Sequence, residues 1–211
     1  MIFVTSGMDS LRITISGNIG CGKTSVLTKL QSEFPLLAIH PEPVDEWGPW
    51  LSEFYSNQTK HALGLQVKIL STYRQMDAKT TTYPVVYERS PLDSIEVFAK
   101  SLHRTHVLST LELELLKELF LTCGWTPNVY IHLEADPITC MTRIKRRNRN
   151  AEGGVSMDYL TDLHDEYDRY VGRLEQDPSI STHRVNANAS QQEVYEHVVN
   201  ILRPMIGAAF R

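Results

Sequence analysis

The eight residues 17–24, GNIGCGKT, constrain this chain more than any other stretch. They satisfy G-x-x-x-x-G-K-[ST] at Gly17, Gly22, Lys23 and Thr24. Glycines let successive backbone N–H groups turn inward around an anion, and a following helix adds partial positive charge at its N-terminus. The flanks fit that geometry. Leu11 to Ser16 (LRITIS) is short and rich in β-branched residues, which predicts a buried strand. Val26, Leu27 and Leu30 recur at helical spacing, which predicts a helix over 24–34. Strand, glycine turn and helix together predict a phosphate-binding loop. Gly17, Asn18, Ile19, Gly20, Cys21, Gly22, Lys23 and Thr24 would surround the phosphates of a nucleoside triphosphate. Lys23 would neutralise the outer phosphates, and the Thr24 hydroxyl would ligate Mg²⁺.

The rest of the chain keeps the same alternation. Short apolar runs predict strands over 36–40, 83–87, 128–133 and 183–186. Apolar stripes predict helices over 60–78, 90–103, 110–123, 137–145, 157–175 and 191–206. Strands alternating with helices imply an α/β fold of three layers, a parallel sheet of about five strands between helices. No repeat, low-complexity tract or linker interrupts the pattern, so residues 11–211 read as one domain behind a loose tail at 1–10.

Composition then removes whole classes of function. Hydrophobic residues make up 42% of the 211, enough to exclude disorder as the default. Basic residues number 21 against 25 acidic, a net charge of −4, which argues against nucleic acid as a partner. Any anion site must therefore be local. No apolar run reaches membrane-spanning length, and the N-terminus lacks the basic start of a secretory signal. Cys21, Cys123 and Cys140 fit neither a zinc pattern nor a disulfide framework. A cytoplasmic, reducing setting follows as the expectation.

Five bases crowd into 143–149, RIKRRNR, in an otherwise acidic protein: Arg143, Lys145, Arg146, Arg147 and Arg149. Gly153 and Gly154 follow closely. Such a stretch can be a helix end matched to its dipole or a nucleic-acid patch. Beside a phosphate loop, a lid over about 143–154 that closes guanidinium groups onto the triphosphate is the better reading.

Two acidic positions follow predicted strands, at the edge where open α/β sheets bind ligands. Glu42, in EPVDEW after the second strand, either accepts a proton from an attacking hydroxyl or caps a helix as a solvated acid. Glu88 and Arg89, in ERS after the third strand, either serve Mg²⁺ and a phosphate oxygen or form a buried ion pair.

With these residues in view, the chain resembles the deoxyribonucleoside kinases, cellular and viral, thymidine-kinase relatives included. The resemblance rests on GNIGCGKT, EPVDEW, Tyr55, Leu65-Gln66, ERS, Phe98 and the arginine stretch ending in Glu152, in family order over roughly residues 11–170. It implies a phosphate-loop kinase fold with an arginine-rich lid, ATP as donor, Mg²⁺ as cofactor, a deoxynucleoside 5′-hydroxyl as acceptor, and a homodimer. By the resemblance, Glu42 is the general base, and Tyr55 with Glu152 holds the 3′-hydroxyl. Gln66 reads the base edge, and Phe98 stacks on it, with Trp47 and Leu65 lining the pocket. Arg89 lies near the reacting centre, Thr24 and Glu88 on the magnesium side. Arg143, Arg147 and Arg149 are lid arginines. Cytidine-preferring relatives carry an arginine and an aspartate where this chain has Tyr73 and Ser94. Their absence tilts the expectation to thymidine, with room beside Ser94 for a methyl group. A kinase of nucleoside monophosphates would instead need a cationic clamp near Glu42. A triphosphate-binding switch would have no use for Tyr55, Gln66, Phe98 and Glu152 in series.

Overall fold

The computed structural model describes residues 11–80, 84–148 and 153–207. Five strands form one sheet: β1 (Arg12–Gly17), β2 (Ala38–His40), β3 (Val85–Glu88), β4 (Val129–Glu134) and β5 (Ser181–Asn186). Their order is β2-β3-β1-β4-β5, and every neighbouring pair is parallel. Parallel strands need helical crossovers, which cover both faces, so the central strands read as near-continuous apolar runs. Ile13, Ile15, Val86, Ile131 and Leu133 are buried on one face with Val26, Leu30, Val198 and Leu202. Tyr130 points to the other face, among Leu163, Tyr167 and Val171. That alternation is the three-layer arrangement expected from the sequence.

The chain leaves β1 for β2 on one side and leaves β3 for β4 on the other. Their carboxyl ends therefore flank a crevice, the topological switch point of an open sheet. In register, Ile15 faces Glu88, and the Arg89 N–H donates to the Ile15 carbonyl at 3.0 Å. The glycine turn and the Glu88-Arg89 pair thus start side by side. His132 on β4 is paired with Ser16, buried with its ring 5.2 Å from that of Tyr167.

Nine helical segments join the strands among the described residues, with a π-helical turn between two of them. α1 (Lys23–Glu33) follows the glycine turn. α2 (Val44–Ser56) was not anticipated from the sequence, because Gly48 and Pro49 interrupt it. It forms because Trp47 and Phe54 bury there, outweighing local propensity. α3 (Gln58–Lys79) packs on α2, with Asn57 capping its start. The helix expected over 90–103 has three pieces: α4 (Pro91–Asp93), the π-helical Ser94–Ala99 and α5 (Lys100–Arg104). α6 (Thr110–Cys123), α7 (Pro137–Arg147), α8 (Met157–Leu174) and α9 (Gln191–Ile206) complete the set. In α6, Leu113 and Leu116 are buried while Leu111, Leu115 and Leu121 face outward. Cys21 and Cys140 are buried and Cys123 half-buried, all as free thiols. No helix among the described residues is long and apolar enough to cross a membrane.

Candidate active site

The glycine turn has the backbone its sequence requires. Gly17, Gly20 and Gly22 adopt φ of 143°, 81° and 115°, a region disfavoured for residues with a Cβ. Gly17 is also hemmed in, since a Cβ there would lie 2.4 Å from the Leu133 carbonyl oxygen. Asn18 turns its side chain into the protein, donating to the Leu160 carbonyl at 2.8 Å and accepting from the Ile19 N–H at 2.8 Å. It braces the loop from behind rather than facing the cavity. Lys23 donates to the carbonyls of Gly17 at 3.1 Å and Asn18 at 2.9 Å. Arg143 on α7 reaches the Cys21 carbonyl at 2.8 Å, so the basic helix end already touches the turn.

Opposite the turn lies a set of coupled polar groups. The Thr24 hydroxyl donates to Glu88 Oε1 at 2.9 Å. Burial, then the nearby Glu42 carboxylate, pushes the Glu88 carboxyl above its usual range. Arg89 pairs with Glu42, at 2.5 Å, rather than with its neighbour Glu88. Its guanidinium also donates to the Tyr167 hydroxyl at 3.0 Å and the Gly17 carbonyl at 3.1 Å. The same guanidinium sits 5.0 Å from the ring centre of Phe98. Tyr73 donates to the Glu88 carbonyl at 3.0 Å and lies 3.4 Å from Glu42 Oε1. Burial and then Glu42 hold its phenol protonated.

These groups open onto one cavity of about 510 Å³. Residues 19–24 of the glycine turn line it, with Arg143, Arg146 and Arg147. Trp47, Tyr55, Leu65, Gln66, Ser94 and Phe98 line the same cavity, as do Glu42, Glu88 and Arg89. Trp47 and Tyr55 come from α2, Leu65 and Gln66 from α3, Ser94 and Phe98 from the π-helical turn. Gln66 is buried, and its Oε1 has no hydrogen-bond partner among the described residues. Gly154 packs against the Tyr55 ring so closely that a Cβ there would meet it at 2.7 Å. Arg149 and Glu152, expected at the lid, lie outside the described residues.

The cavity also holds residues the sequence reading did not assign. Leu51 and Phe54 arrive with the unforeseen α2, Ile69 with α3 and Tyr159 with α8. Gln191 and Gln192 come from the start of α9. Tyr167 supports Arg89 from behind. Its place three turns into an amphipathic helix gave only the signal of a core aromatic.

A glycine-rich phosphate loop at the switch point of a parallel sheet, sharing one cavity with a carboxylate–guanidinium pair, defines a phosphate-loop phosphotransferase. Residues 13–206 match the family model described as deoxynucleoside kinase, and the chain belongs to that family. It is an enzyme that phosphorylates a deoxynucleoside. Among curated relatives, the chain is 28% identical over 204 residues to the thymidine kinase of Ictalurid herpesvirus 1, spanning 92% of this chain and 86% of the relative. It is 29% identical over 174 residues to the deoxyadenosine kinase of Dictyostelium discoideum, spanning 78% and 68%. In fold it resembles a solved deoxyadenosine kinase from M. mycoides, with a TM-score of 0.83 at 20% identity over 92% of this chain and 100% of that one.

Proposed function

We propose that the enzyme transfers the terminal phosphoryl group of ATP, with Mg²⁺, to the 5′-hydroxyl of a pyrimidine deoxynucleoside, thymidine foremost. The observation that carries this reading is Glu42, a carboxylate in the same cavity as the phosphate loop and clamped by Arg89. A carboxylate suits a neutral alcohol whose proton must leave as it attacks. A monophosphate acceptor would meet repulsion there.

In this reading Glu42 accepts the 5′-hydroxyl proton, and Arg89 releases part of its hold on Glu42 to face the reacting oxygens. Lys23, Arg143, Arg147 and Arg149 hold the phosphates against the backbone N–H groups of 17–24. The Thr24 hydroxyl and Glu88 carboxylate, 2.9 Å apart, are hard oxygen donors beside the phosphate site. One carboxylate, one hydroxyl and substrate phosphates are a donor set that Mg²⁺ accepts. When bound there, the metal would neutralise charge on the phosphate oxygens. Tyr55 and Glu152 hold the 3′-hydroxyl, and Phe98 stacks on the base beside Trp47 and Leu65.

Base preference rests on three side chains. The orphaned Gln66 Oε1 asks for a donor, which the N3–H of thymine or the amino group of cytosine supplies, since a buried acceptor left unpaired costs about 1–3 kcal/mol. Tyr73, buried and lining the cavity, stands where cytidine-preferring relatives carry an arginine. Ser94, which lines the cavity, is small where cytidine-preferring relatives carry an aspartate. A panel of four deoxynucleosides, with ATP and magnesium, tests the reading. Thymidine should give the highest kcat/KM, and a purine winning by tenfold or more would refute the preference. Preference for thymidylate over thymidine would remove the alcohol acceptor. The reading includes a homodimer, supported by the outward Leu111, Leu115 and Leu121 of α6. Sedimentation velocity at micromolar concentration should show a species near twice the chain mass.

A further inference from the structure

Asp93 is a buried carboxylate to which no step above gives a task. It is 1% exposed, one residue before Ser94 of the pocket wall. Oδ2 accepts from the Ser90 N–H at 2.7 Å and the Ser90 hydroxyl at 2.8 Å. Oδ1 accepts from the Ser16 hydroxyl and the Tyr130 hydroxyl, both at 2.5 Å. Four donors converge on one side chain from β1, β4 and the turn after β3. Burial pushes its pKa up, while the hydrogen bonds from Ser16, Tyr130 and Ser90 and the charge of Arg89 oppose that and favour the carboxylate. Capping a helix of three residues would need two of those bonds; the other two point elsewhere.

They point toward Arg89. The Ser16 hydroxyl that donates to Asp93 is also directed at the hydroxyl of Tyr167, 3.4 Å away. Tyr167 in turn accepts from Arg89 Nε at 3.0 Å. A connected set results: Arg89 donates to Tyr167, and the Ser16 hydroxyl stands within reach of both Tyr167 and Asp93. Every member is buried, so the bonds are unscreened by water. Arg89 has a backbone that needs such support, with φ at 58°, in the left-handed region that a side-chain-bearing residue enters at a cost of ~1–3 kcal/mol. Its other contacts, Glu42 and the Gly17 carbonyl, belong to the proposed reacting site.

We infer that Asp93 is a positioning residue for Arg89, anchoring through Ser16 and Tyr167 the guanidinium that faces Glu42 and the phosphate loop. The inference rests on the reading of Arg89 as a site residue. The anchor also ties the strand that enters the glycine turn to the turn that carries Arg89, because Ser16 precedes Gly17 and Ser90 follows Arg89.

The test follows the Arg89 Nε–H resonance in ¹H–¹⁵N spectra, assigned by its loss in Arg89→Lys, together with steady-state kinetics. Asp93→Asn should shift that resonance and lower kcat about tenfold, with KM for ATP nearly unchanged. Ser16→Ala cuts the connection while leaving the Ser90 and Tyr130 bonds to Asp93, and serves where Asp93→Asn fails to fold. It should move the same resonance in the same direction. Tyr167→Phe combined with Ser16→Ala should cost no more in kcat than the worse single variant. A resonance unmoved in folded Asp93→Asn and Ser16→Ala, or kcat losses that multiply, would overturn the inference. If Arg89→Lys keeps full turnover while the resonance still moves, the anchor stands and the role given to Arg89 falls.

Discussion

Lowering the pH should unfold this enzyme partly through one imidazole. His132 is 5% exposed on the central strand β4, and its Nδ1 has no hydrogen-bond partner among the described residues. Burial, followed by the positive charge of Arg184 and the proximity of His164 and Lys23, lowers its pKa from 6.5 to about 3; Asp168 opposes this weakly. The folded protein therefore refuses a proton that the unfolded chain accepts. The stability difference is absent above pH 6.5 and grows as pH falls, levelling only near pH 3. At pH 5 the unfolded chain binds nearly one more proton, after about 1.5 pH units of descent. At about 1.36 kcal/mol per unit, that is roughly 2 kcal/mol of lost stability. Replacing the ring by an apolar side chain of similar volume, His132→Leu, removes the penalty and the orphaned nitrogen together. Urea midpoints measured from pH 8 to pH 5 on both proteins give the comparison. The variant should match or exceed the parent at pH 8 and gain about 2 kcal/mol relative to it at pH 5. Parallel stability–pH curves for the two would refute the argument. They would mean that His132 finds a proton acceptor when it charges.

Three further outcomes follow from the site. Glu42→Gln should lower kcat by about 10²–10⁴ while ATP binding, followed by calorimetry, stays near that of the parent. Gly17→Ala, which puts a Cβ 2.4 Å from the Leu133 carbonyl at φ 143°, should lower the melting temperature and abolish nucleotide binding together. A near-normal melting curve would show that the turn can shift. Tyr73→Phe removes the hydroxyl that holds the Glu88 carbonyl, at a cost of about 1 kcal/mol seen in urea unfolding, with the ring packing on Trp47 kept.

Much of this was legible in the sequence, for physical reasons that differ from element to element. The phosphate loop was the clearest, because only glycines fit its backbone and its flanks carry two different periodicities. The buried central strands announced themselves as apolar runs bounded by turns. β5 was weaker, since an edge strand has one row of unpaired backbone and less need of apolar side chains; it starts at Ser181, two residues before the expected His183. α2 was invisible because Gly48-Pro49 argues against a helix locally, and only burial of Trp47 and Phe54 against α3 overrules it. With α2 went Leu51 and Phe54 as pocket residues. The partner of Arg89 was equally hidden. Sequence adjacency suggested Glu88, yet successive residues leaving a strand point to opposite sides, and Glu42 arrives from another loop. Asp93 gave no signal beyond a capping acid, because its partners are 77 and 37 residues away.

The wide turn at Ser94–Ala99 closes its hydrogen bonds over one residue more than an ordinary helical turn. Chain length there is consequently a dial separate from foldability. Excising a single residue would let the bulge relax into regular coiling, leaving α5 seated where it was. What would change is the wall of the nucleoside pocket, where Ser94 and Phe98 now share one surface. Shortening by one is thus a route by which this scaffold could trade one guest for another without surrendering its architecture.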